Sequence, residues 1–213
     1  MPKYLDLETW PRRGLFEFFR HYQNPYFNIC ARLDVTELIK LLRAREGVSV
    51  SLAYHYFALR VANEIEPFHY RLQDEQVEIH EIINGGTTVL LPNETFTYAY
   101  FNYYDDFEQF VAEAGAAIAK VRHEGSLQPT MRYDLIYFTT LPWISFTSFA
   151  HARTPGRGES IPRIAFGKFA IETGRTFLPI SVEVHHALMD GLHVGRFISR
   201  LEEMLTQPAD YLK

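Results

Sequence analysis

The chain has 213 residues, 47% hydrophobic and 22% charged, a composition expected of one globular domain with a sizeable core. Its 26 acidic and 21 basic side chains give a net charge of −5, and no basic run offsets the repulsion from phosphate, so nucleic acid is not an expected partner. The single cysteine, Cys30, excludes an intrachain disulfide and a cysteine-based metal cluster and fits a reducing, cytoplasmic setting.

In chain order, Met1 to Glu8 lacks the apolar core of a signal peptide, and no later run approaches the roughly 20 apolar residues of a membrane span, so no membrane partner is expected. Tyr26 to Leu33 reads as a strand. Asp34-x-x-Glu37 is a capping box that opens a helix with Val35, Leu38, Ile39 and Leu42 at helical spacing, ended by Gly47. Ser51 to Ile65 is apolar around most of its circumference, predicting a deeply buried helix that Pro67 stops. Strand-like runs follow over His69 to Leu72, Gln76 to Ile83, Thr87 to Leu91 and Thr95 to Tyr103, with Gly85-Gly86 read as loop glycines. A helix begins near Asp106 and ends at Gly125. Strands are then expected over Leu135 to Thr140, Arg163 to Ile171 and Arg175 to His186, the last two joined by Glu172-Thr173-Gly174 into an antiparallel hairpin. Val194, Phe197, Ile198, Leu201, Met204 and Leu205 mark a final helix ahead of Pro208. No linker, repeat or low-complexity tract divides the chain, so one domain is expected over 1–213. Hairpin-forming strands with a few long helices predict an α/β two-layer sandwich with a mixed β-sheet, not a doubly wound one. No dinucleotide or P-loop glycine motif is present, and Gly156-Arg157-Gly158 reads as loop. Seventeen Phe and 13 Tyr hint at an aromatic pocket or a buried subunit interface.

The most informative stretch is His185-His186-Ala187-Leu188-Met189-Asp190-Gly191. Strand alternation gives His186 the face of Ile180, Val182 and Val184, the core face, and His185 that of Ser181 and Glu183. An imidazole held in a partly dry site can serve as a general base near neutral pH. The same residues with His193 could be read as metal ligands, but the adjacent histidines point to opposite faces, so no metal is expected.

Five segments carry a resemblance to a known family: Trp10-Pro11-Arg12-Arg13-Gly14-Leu15-Phe16-Glu17-Phe18-Phe19-Arg20; Leu33-Asp34-Val35-Thr36; Asn93-Glu94-Thr95-Phe96; Thr140-Leu141-Pro142-Trp143-Ile144 with Ser148-Phe149; and His185 through Phe197. The chain resembles the type A chloramphenicol acetyltransferases. His-His-x-x-x-Asp-Gly is shared with the acyltransferase core of 2-oxo acid dehydrogenase complexes, but the N-terminal block and Leu-Pro-Trp favour the antibiotic acetyltransferases. The resemblance implies a CoA-dependent acyltransferase fold and acetyl transfer from acetyl-CoA to an alcohol such as chloramphenicol. It also implies a homotrimer with active sites at subunit interfaces. By the same resemblance His186 is the base, Thr139 stands where the family has an oxyanion-binding serine, and Asp190 pairs with Arg12 to brace the loop carrying His186. Phe18, Phe96 and Phe149 match an aromatic acceptor wall, and Lys168 matches a lysine near the coenzyme phosphate.

Departures from the family pattern gather in the acceptor pocket. Phe19 replaces a tyrosine, Gln23 an apolar residue, His151 a leucine, Ala165 a threonine and Tyr137 an asparagine. The alternatives are therefore an acetyltransferase for a different hydrophobic alcohol, or a low-turnover module that binds a small molecule on the same scaffold.

Overall fold

The computed structural model describes residues 2–45, 47–127, 129–153 and 160–212. The first half of the chain runs β1 (Lys3–Tyr4), α1 (Arg13–Phe19), β2 (Tyr26–Asp34), α2 (Thr36–Arg43), α3 (Val50–Glu64), β3 (Tyr70–Gln73), β4 (Gln76–Ile79), β5 (Asn84–Leu90) and β6 (Phe96–Phe101). The second half runs α4 (Phe107–Glu124), β7 (Leu135–Thr140), β8 (Arg163–Phe166), β9 (Ala170–Glu172), β10 (Arg175–His185) and α5 (Gly191–Thr206). The main sheet has the order β2-β10-β8-β7-β5-β6, with β9 also paired to β10. Strand β10 is antiparallel to β2, β8 and β9, β8 and β5 are parallel to β7, and β6 is antiparallel to β5, so the sheet is mixed as expected.

Helices cover one face of that sheet. Strand alternation turns Ile164, Phe166, Phe138, Ile180, Val182 and Val184 toward α3 and α5, where they form one buried cluster with Tyr56, Phe57, Phe197 and Leu201. Helix α3 is apolar all round because it is packed from all sides, by the sheet below and by α4 and α5 beside it. Helix α4 has the ends its sequence announced: the Asp106 side chain accepts from the Gln109 amide at 2.7 Å, and Gly125 closes the helix at φ 67°.

Several local expectations are corrected. Asp34 does not form a capping box with Glu37; its carboxylate accepts from the amide and hydroxyl of Thr36 and pairs with Arg175, while Glu37 pairs with Lys40. Gly85 and Gly86 are not loop glycines but central residues of β5, paired with β6 on one side and β7 on the other. Their missing side chains leave room for aromatic neighbours: a Cβ on Gly85 would lie 2.3 Å from the Phe101 ring, and one on Gly86 2.9 Å from Tyr100. The run from Arg163 to Ile171 is two strands, broken where the backbone of Ile144 and the Phe146 ring pass close above Gly167. Gly156-Arg157-Gly158 lies outside the described residues. The hairpin turn is as expected, with Thr173 and Gly174 both at positive φ. Helix α1 and the small three-stranded sheet β1-β4-β3 were not expected; α1 is short, and its anchor is a tertiary contact, the buried Phe16 against Trp10.

The opposite face of the main sheet decides the chemistry. Cross-strand partners share a face, so the register lines up Asn28, Glu183, Arg163, Tyr137, Gly86 and Tyr100 in one row. Two residues further along, Cys30, Ser181, Ala165 and Thr139 form the next. This face is polar and still largely buried: Ser181, Glu183 and His185 are each at most 5% exposed.

Candidate active site

The candidate residues fall into two groups. The first lies where β10 ends. The His186 amide donates to the Pro25 carbonyl at 2.7 Å, extending the pairing with β2 by one residue before the chain turns into α5. The His186 ring stacks on Phe19 of α1, centroids 3.9 Å apart and planes 6° apart, and leans on Phe27. Nδ1 is buried, 3.3 Å from Asp190 Oδ1 but outside hydrogen-bonding geometry, which leaves Nε2 toward the exposed edge of a ring one-third accessible. His186 thus shares the core face of β10 yet sits at its margin. His185 is the deeply buried one of the pair, and burial, together with the Arg153 charge, lowers its pKa to about 4.

Arg12 ties this corner together. One guanidinium nitrogen pairs with Asp190 Oδ2 and the other donates to the His186 carbonyl at 3.2 Å, so one side chain fixes both the carboxylate and the backbone that carries the imidazole. The pair is half-buried, with side chains 14% and 30% exposed. Asp190 also opens α5, its own amide donating to His193 Nδ1 at 2.9 Å. Phe18 and Gln23 stand exposed near this corner, with Phe18 edge-on to Phe19.

The second group lines a cleft of about 760 Å³ on the polar face of the sheet. Thr139, Phe96 and His151 belong to it, together with Gly86, Tyr98, Tyr100, Tyr137, Trp143 and Arg163. Phe149 packs edge-on against His151 at 4.7 Å. Ala165, beside Thr139 and Ser181 in the sheet, is fully buried and is not among the residues lining the cleft. Lys168 is exposed in the break between β8 and β9, where its amide donates to the Ile144 carbonyl at 2.8 Å. His186, Arg12, Asp190, Phe18, Phe19 and Gln23 are not among the cleft's lining residues.

Below the cleft is a charged network that sequence reasoning missed. Glu183 accepts from Arg153 Nε at 2.6 Å and from the His151 amide at 3.4 Å. Burial alone would raise its pKa, but hydrogen bonding from His151 and the Arg153 charge outweigh it and hold the group ionised, at about 2. Glu183 could have been suspected from its place in a strand whose every neighbour is buried, since a carboxylate there needs a partner. Arg153 is 30 residues away in the sequence and gave no such signal. Among the described residues, no group of three or more His, Cys, Asp or Glu side chains is arranged to hold a metal ion, and no helix is long and apolar enough to cross a membrane.

A family model described as chloramphenicol acetyltransferase matches residues 3–202. The chain is 32% identical over 203 residues to chloramphenicol acetyltransferase 2 of Escherichia coli, covering 94% of this chain and 95% of that one. It is 29% identical over 204 residues to chloramphenicol acetyltransferase 3 of Escherichia coli, covering 93% and 94%. A solved chloramphenicol acetyltransferase superposes with a TM-score of 0.83 at 30% identity, over 96% of this chain and all of the other. The dihydrolipoamide acetyltransferase of Azotobacter vinelandii shares the fold at a TM-score of 0.68 and 19% identity, over 94% and 89%. With matched segments spanning both the His186 corner and the Thr139 cleft, the chain belongs to the chloramphenicol acetyltransferase family.

Proposed function

We propose that this acyltransferase transfers acetyl from acetyl-CoA to a hydroxyl of chloramphenicol, by direct attack in a ternary complex formed in the cytoplasm, with residues 1–213 working as one acetyltransferase domain. His186 Nε2 takes the proton of the acceptor hydroxyl as its oxygen attacks the thioester carbonyl. The Thr139 hydroxyl donates to the oxyanion that forms. Collapse of the tetrahedral intermediate expels the CoA thiolate, which the His186 imidazolium protonates, so the enzyme ends as it began. A positioned base contributes about 10²- to 10⁴-fold, and one oxyanion donor about 10²- to 10³-fold. Lys168, exposed beside the cleft's rim, is assigned to the coenzyme phosphate.

The observation that carries this reading is the His186 ring, stacked on Phe19 and held by a backbone that Arg12 and Pro25 both grip, with Nε2 at its open edge. It is not among the residues that line the Thr139 cleft of the same chain. The half-site around His186 is edged by exposed Leu15, Phe18 and Tyr22, and the half-site around Thr139 by exposed Leu90, Phe96, Trp143 and Ile144. Two different apolar patches on one chain suit a head-to-tail contact, which forms a ring where the rotation between copies closes. The family resemblance supports reading that ring as a homotrimer in which His186 of one chain serves the cleft of the next.

The test is release of CoA thiol by purified protein supplied with acetyl-CoA and chloramphenicol, beside the His186→Ala variant. Turnover that the variant loses while keeping its melting temperature supports the reading. Saturable chloramphenicol binding without thiol release refutes it in favour of the binding module.

A further inference from the structure

Arg163 lines the cleft and, among the described residues, has no carboxylate in ion-pair contact. Arg163 lies between Glu183 and Tyr137 in the row that crosses the sheet, and Glu183 would be its natural partner. That carboxylate is already held by Arg153, with the His151 amide on its other oxygen. Arg163 instead donates one guanidinium nitrogen to the Ala152 carbonyl, its Nε is buried without a hydrogen-bond partner, and among the described residues no carboxylate is within 4.0 Å of it. A guanidinium that no described carboxylate neutralises favours an incoming anionic acceptor over a neutral one. The residue lines the same cleft as Thr139.

The register also sets a distance. Tyr137, the β7 partner of Arg163, is two residues from Thr139, which at about 3.3 Å per residue is roughly 6–7 Å along the strand. That is about the length of an aryl ring with its substituent. The carboxylate that also lines the cleft, Glu94, is at the far end, beyond Leu90, which is four residues from Gly86 in the Arg163 row, roughly 13 Å at the same rise.

We propose that Arg163 is a specificity-determining residue, and that the cleft prefers alcohols carrying an anionic group, such as a carboxylate, about one aryl ring away from the reacting hydroxyl. The proposal rests on the acetyl-transfer reading only in calling the bound alcohol an acceptor. Phenols of Tyr98, Tyr100 and Tyr137 line the same space and add donors suited to an anion.

The test compares 4-(hydroxymethyl)benzoate with its neutral isostere 4-(hydroxymethyl)benzamide, binding each by isothermal titration to the intact protein. Wild type should bind the benzoate about tenfold or more tightly. Arg163→Gln should abolish the difference, and Arg163→Lys should restore most of it. Equal binding of the pair by wild type, no detectable binding of the benzoate, or a preference that survives in Arg163→Gln overturns the proposal. Thiol release with chloramphenicol is followed separately. Its absence removes the acetyl-transfer reading and leaves the binding comparison intact, whereas turnover of chloramphenicol with no benzoate preference removes this proposal and leaves that reading standing.

Discussion

The corner around His186 and the cleft around Thr139 are built by different means. The corner is mostly local: β10 ends at His185, His186 begins the turn, and Asp190 opens α5 four residues later, so strand, base, carboxylate and helix cap come from one stretch of sequence. Arg12 and Phe19 arrive from the α1 region, and Pro25 and Phe27 from the start of β2 and the residue before it. The cleft is wholly non-local, assembled from strands β5 to β8 and the segment after Pro142, and its shape depends on register. The contrast teaches that a local motif can announce a base, while the pocket that gives the base a substrate is invisible until strands pair.

The sharpest way to break the comparison is to mutate one half-site per chain. His186→Ala and Thr139→Ala should each lower thiol release at least about 10²-fold. Chains of the two variants, unfolded together and reassembled, should recover about a quarter of the wild-type rate if each site draws His186 and Thr139 from different chains of a closed ring. No recovery would mean that both residues act within one chain. A single-chain mass in analytical ultracentrifugation would break the two-chain site directly.

Asp190→Asn tests the brace of the corner. A half-buried pair lies between the exposed and buried extremes, so its loss should cost about 1–3 kcal/mol in denaturant unfolding. Because Arg12 also holds the His186 carbonyl, thiol release should fall further than stability alone explains. An activity unchanged at full folding would show that the brace does not position the base.

Acid separates the two faces of the sheet. His55, enclosed between Phe138 and neighbouring rings with no partner for either nitrogen, has its pKa lowered to about 3 by burial, and His185 is held at about 4. Both folded values are below the unfolded 6.5, so the stability of their neutral forms is complete above about pH 6.5 and is lost as pH falls toward 4 and 3. Glu183, lowered from 4.5 to about 2, adds a loss as pH drops through that lower window. His55→Leu should flatten the decline below pH 6.5 by up to about 1.4 kcal/mol per pH unit. Parallel curves for variant and wild type would show that His55 is not the titrating group. The smallest expected effect is that of Gly86→Ala. Its Cβ would press on Tyr100 in the cleft, raise the KM for the acceptor severalfold and cost about 1 kcal/mol in denaturant unfolding.

Much of the fold was legible because hydrophobic periodicity acts locally: the buried α3, the capped α4 and the β9–β10 hairpin were all expected near their observed limits. Gly85-Gly86 was misread because glycine in a strand looks like glycine in a loop until the Phe101 and Tyr100 rings across the sheet are in place. Asp34 looked like a capping-box residue because Arg175, which takes part of its carboxylate, is 141 residues away.

By itself the sequence determined the alternation of helices and strands, the His186–Asp190 turn and the family, because each rests on neighbours in the chain or on a pattern of residues in order. Only the tertiary structure decided that Glu183 is claimed by Arg153, leaving Arg163 without a carboxylate partner among the described residues of a tyrosine-lined cleft, and that His186 is not among that cleft's lining residues. Those outcomes are competitions between side chains far apart in sequence, and distance and burial settle them.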